Sequence, residues 1–86
     1  MVPAVSRAYL SQKLTRPFPT KDGGTLRTVL DARAYMLRLS KDRERSARWQ
    51  RAAQLLLAKA DVGAVSRQLE FALLYDGKLD VLAIPT

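Results

Sequence analysis

Apolar positions recur at helical spacing in three successive stretches of the chain, and each stretch carries its own start signal. In the first, Val29, Ala32, Tyr35, Met36 and Leu39 share one face, while Leu30, Ala34 and Leu37 form a second apolar strip beside it. Thr28, with Asp31 three positions on, approximates a capping box and predicts a helix from there to about Leu39. In the second, Trp49, Ala52, Ala53, Leu56, Leu57 and Ala60 follow the i, i+3, i+4, i+7, i+8, i+11 pattern of a helix with one buried side. Ser40 is the expected cap, and Asp42 and Glu44 fall in a first turn where the helix dipole favours anions. That predicts one helix to about Lys59, with Trp49 as a core anchor. The third runs from an Asp61 cap over Val62 to Tyr75, with Val62, Val65, Leu69, Ala72 and Leu73 inward and Ala64, Phe71 and Tyr75 on the far side. Gly77 is placed to end it in the left-handed conformation.

Outside these stretches the helical period disappears. TRPFPTKDGG combines two prolines, which lack a backbone donor, with two glycines, and predicts a linker. Ser6 to Leu14 is at most a short helix that needs docking to persist. KLDVLAIPT alternates in a strand-like way and is expected to lie extended across the helices, with a pairing to the amino-terminal arm as an alternative. The expected fold class is therefore all-α: a flexible arm and Pro/Gly linker over 1–25, a three-helix domain over 26–77 and an extended tail over 78–86.

Composition narrows the chemistry. Eighty-six residues hold one modest core. No apolar run approaches the ~20 residues of a membrane span, and Ser6 and Arg7 interrupt MVPAVSRAYL where a secretory signal would be apolar. With no cysteine there is no disulfide framework, so a soluble, unprocessed protein of the reducing cytoplasm is expected, with no membrane partner. With no histidine either, there is no Ser-His or Cys-His nucleophile pair and no nitrogen or sulfur zinc site. The aspartates at 31, 42, 61 and 76 are taken up by caps and turns. KDGGTLRT lacks the spacing of a phosphate-binding loop and is an ordinary turn. The expectation is no enzyme, no cofactor, no metal and no small-molecule substrate.

Charge changes the picture once more. The formal net charge is +7, and thirteen Lys and Arg stand against four acids up to Lys59, whereas two stand against four after it. In KDRERSARWQR and beyond, Lys41, Arg45, Arg48, Arg51 and Lys59 gather along a flank of the second predicted helix, a surface suited to nucleic acid or to an acidic protein. The competing account pairs Glu44 with Arg48 one turn on and lays the other arginine stems over the core rim. A helix-turn-helix reader with KADVG as its joint would expose Phe71 and Tyr75 to bases, which such a reader does not need. Leu30, Leu37, Phe71 and Tyr75 exceed what a core of three short helices covers, so the first expectation is a self-associating module, a homodimer.

In order along the chain, TLRTVLDARAYMLRL, WQRAAQLLL and ADVGAVSRQLEFALLYDGKLDV resemble short helical bacterial proteins without assigned function, over about two thirds of the length. The resemblance implies a compact helical unit and supplies no catalytic or ligand motif.

Overall fold

In the computed structural model, which describes residues 6–22 and 24–83, Thr28 is the joint between a strand and a helix. It ends β2 (Gly24–Thr28), and its hydroxyl accepts from the Asp31 amide while the Asp31 carboxylate accepts from the Thr28 amide. This closed capping box starts α2 (Val29–Leu37) where the sequence predicts it.

The strand before that joint corrects the fold class. β2 runs antiparallel to β1 (Lys13–Thr20), with Phe18 opposite Leu26, Pro19 opposite Thr25 and Thr20 opposite Gly24. The protein is therefore not an all-α three-helix domain: it has five α-helices and a two-stranded sheet among its described residues. The supposed linker TRPFPTKDGG holds most of β1 and the turn after it. Prolines are tolerated here because the ladder shifts register between Lys13 and Phe18, so Pro17 falls where no regular pairing asks for its missing N–H. Leu14, Phe18 and Leu26 are buried, and that burial holds the hairpin down. Gly24, at φ +74°, takes the turn-side conformation that a residue with a side chain adopts only at a cost.

The amino-terminal stretch is docked as well. Ser6 caps α1 (Arg7–Leu10), and the buried Tyr9 donates its hydroxyl hydrogen to the Ala60 carbonyl at 2.6 Å. The Val29 amide donates to the Gln12 carbonyl, which ties the end of the arm to the start of α2. Residues 1–5 of the expected arm and 84–86 of the expected tail lie outside the described residues.

The second predicted helix is two. α3 (Lys41–Glu44) is capped by Ser40 as expected, but Ser46 then accepts from the Trp49 amide and opens α4 (Ala47–Leu57). A serine in mid-pattern offers the backbone a local partner that competes with helix continuation, and here the cap prevails. α4 ends in a Schellman turn: the Ala60 amide reaches the Leu55 carbonyl and Lys59 sits at φ +53°. α5 (Val62–Tyr75) matches its predicted span and ends in the same turn, with Gly77 at φ +67°. The described part of the tail pairs with the amino-terminal segment, the alternative expectation. The Lys21 amide donates to the Lys78 carbonyl and the Asp80 amide to the Pro19 carbonyl, so Lys78–Asp80 pairs with the end of β1 before the short 3-10 turn Val81–Ala83.

These elements close a ring around one core: β1 packs on α5, β2 on α2, α2 on α4 and α4 on α5. Phe18, Leu26, Val29, Trp49, Leu69 and Leu73 fill its centre. Each such side chain contributes about 1.5–3 kcal/mol by leaving water. The buried Ser66 on α5 accepts from the Thr15 amide at 3.0 Å, fastening the bulged part of β1 to the helix beneath it. Among the described residues no helix is long and apolar enough to cross a membrane.

Candidate interaction surface

Three surface features stand out, and they differ in what they leave free. The first is a polar cluster where α2, α3 and the end of α5 meet. Trp49 is 1% exposed, and its indole N–H donates to Asp76 Oδ2 at 2.7 Å. Arg43 Nε donates to the same oxygen at 2.7 Å, its Nη2 to the Tyr35 hydroxyl at 2.8 Å and its Nη1 to Asp22 Oδ2 at 3.3 Å. Tyr35 in turn donates to Asp22 Oδ1 at 2.9 Å, and its ring lies 5.6 Å from that of Trp49. Burial alone would raise the Asp76 carboxyl, but the hydrogen bonds from Trp49 and Arg43 outweigh it and hold the carboxyl below its ordinary value. Burial pushes the Tyr35 hydroxyl up, against the pull of Arg43. The five side chains are linked to one another by these hydrogen bonds and the Tyr35–Trp49 ring contact, so the cluster is a structural lock joining the β-turn, α3 and α5.

The second feature is an apolar groove between α2 and α4. Met36, Leu37, Ala53 and Leu57 line its middle. The half towards α3 has a volume of about 330 Å³ and reaches Glu44; the other half, about 220 Å³, reaches Arg33. Leu37 and Leu57 are 70% and 67% exposed. The predicted partner residue Leu37 is thus on this groove. Leu57, which the periodicity placed inward, faces the groove because it stands at the edge of the α4 stripe beside Ala53, while its neighbour Leu56 takes the buried position.

The third is the outer face of α5. Phe71 and Tyr75 are exposed and meet edge to face with ring centroids 6.5 Å apart. Arg48 lays its guanidinium over the Tyr75 ring at 3.4 Å, a cation–π contact that covers part of the aromatic surface. Its Nε is buried without a hydrogen-bond partner. The fourth predicted partner residue, Leu30, is half-exposed and borders Leu10 and Arg7 of α1. The four residues are all at the surface; Leu37 and Leu30 line different grooves, and Phe71 and Tyr75 lie on α5.

The residues of the expected basic flank fall on more than one element, because the helix is interrupted at Ser46. Lys41 and Arg45 belong to α3 and its end, Arg51 is exposed on α4, and Lys59 lies in the turn after it. Arg48 is engaged on Tyr75, and the expected Glu44–Arg48 surface pair is replaced by that contact, because the two residues no longer share a helix. The sequence assigned no role to Arg43, Asp22 or Asp76 in this lock. The available signal was Trp49 itself: an indole predicted to be buried needs an acceptor for its N–H. Comparison with protein-family models, with curated proteins and with solved structures finds no match.

Proposed function

We propose that the protein is a non-enzymatic interaction module whose first partner is a second copy of itself, joined through helix faces that its own core leaves uncovered. The carrying observation is the pair Leu37 and Leu57, both about two thirds exposed and both lining one apolar groove. Large contiguous apolar surface on a small domain is a feature of association sites, because its exposure to water is unfavourable by roughly 25 cal/mol per Å². A cytoplasmic setting belongs to the same proposal and rests on the cysteine-free composition.

Gel filtration with light scattering at low and at high salt tests it. The expected result is twice the 9.6 kDa chain mass in both, since apolar burial is little affected by screening. A monomer in both conditions contradicts the proposal. Steeply salt-dependent binding to unrelated duplexes, weakened by combined Arg48→Ala and Arg51→Ala substitution, would instead support a polyanion partner.

A further inference from the structure

We infer that the α2–α4 groove is the face on which two copies of this chain meet, antiparallel about a two-fold axis, with Arg33 of each copy against Glu44 of the other. This inference rests on the self-association proposed above and specifies its surface and register. Of the three surface features, the Arg43 cluster is polar and its side chains are engaged with one another. The α5 face carries the charge of Arg48 over Tyr75, which makes it less apolar than the groove. The groove alone combines exposed leucines with a cavity lined by the small side chain of Ala53.

Its ends decide the occupant. α2 and α4 run antiparallel along it, so Arg33 lies at the end near Leu56, and Glu44 lies at the other end near Trp49 and Gln50. Neither Arg33 nor Glu44 has an ion-pair partner within the chain among the described residues. A surface with an unpaired arginine at one end, an apolar middle and an unpaired glutamate at the other is complementary to itself turned by 180°. In an isologous contact each residue meets its counterpart's partner, so both charges are matched twice and Leu37 and Leu57 of one copy face Ala53 of the other. The opposite charges set the register and disfavour other arrangements, while the leucines supply the bulk of the affinity.

The test uses the full chain carrying Arg33→Glu or Glu44→Arg, each studied alone and then mixed in equal amounts. Alone, each variant places two like-charge contacts across the two-fold axis, and its dimerisation constant weakens by about tenfold or more in low salt. Mixed, the two form a heterodimer in which both ends are again opposite in charge, and affinity returns to within about threefold of the unaltered protein. No effect within a single chain can produce that recovery. Leu37→Asp, at an exposed position, abolishes the dimer, and Trp49 emission reports that every variant remains folded. If the unaltered protein dimerises but the mixture binds no better than its components, or Leu37→Asp dimerises normally, this interface is wrong while self-association stands. A monomeric unaltered protein overturns both.

Discussion

At the scale of single residues, Asp76 does more than precede a glycine. It accepts from the buried indole of Trp49 and from Arg43, and those charge-assisted bonds hold its pKa below the ordinary carboxyl value of 3.8 despite burial. A carboxyl whose folded pKa lies below its unfolded one contributes its full stabilisation above the unfolded value and loses it as pH falls through the folded one. Unfolding free energy should therefore decline as pH drops below about 4. Asp76→Asn should cost about 2 kcal/mol at pH 7 and flatten that decline, as followed by urea unfolding at several pH values. Identical acid slopes in the two proteins would contradict the lock. Trp49 should emit at short wavelength when native and shift red on unfolding, because its ring is enclosed. The burial of Trp49 was legible in the sequence through its place at the head of the α4 stripe. Its acceptor was not, since Asp76 is brought to it by a chain reversal 27 residues away that no local pattern encodes.

At the scale of elements, the ends were more legible than the interiors. Thr28, Ser40 and Asp61 cap helices as predicted, because capping is a local exchange of hydrogen bonds that side-chain type and spacing declare. Gly77 ends α5 for the same local reason, while α4 ends in the same turn with Lys59 in the left-handed region. This gives an opposed pair of expectations. Gly77→Ala should destabilise by about 1 kcal/mol through backbone strain alone, since a Cβ there meets nothing within 4 Å. Lys59→Gly should stabilise by up to about 1 kcal/mol by relieving it. Thermal melts should move in opposite directions by a few degrees each; shifts of the same sign would contradict the geometry. The hairpin was missed because its evidence is non-local. Pro17 and Pro19 argue against a regular strand, and only the bulge, the burial of Phe18 and the pairing with Lys78–Asp80 make β1 acceptable. Phe18→Ala should accordingly cost about 3–5 kcal/mol, measurable by denaturant unfolding, whereas a true linker residue would cost almost nothing. The split at Ser46 was missed for a different reason: Ser40 to Ser46 holds no apolar residue, so periodicity is silent there, and the start signals at Ser40, Asp42 and Glu44 suit a helix of one turn as well as a long one.

At the scale of the whole molecule, the ring of β1, β2, α2, α4 and α5 uses one side of each helix and leaves the other to water or to a partner. The surplus of apolar faces could be counted from the sequence, and Leu30, Leu37, Phe71 and Tyr75 are indeed at the surface. Which of them share a surface could not, because that depends on how α2 lies against α4 and on where α4 stops. Leu57 is the instructive case: its period assigns it to the core, and its place at the edge of the α4 stripe, next to the buried Leu56, hands it to the groove. Lys41, Arg51 and Lys59 likewise stand on α3, on α4 and in the turn after it rather than on the single helix that the sequence predicts.

Self-association through uncovered apolar faces is the central claim, and sedimentation equilibrium over a range of concentrations, repeated at low and high salt, tests it most directly. The expected result is a reversible monomer–dimer equilibrium whose constant changes little with salt, with the dimer at twice the 9.6 kDa chain mass. A single species of 9.6 kDa at every concentration, in both salts, would contradict it.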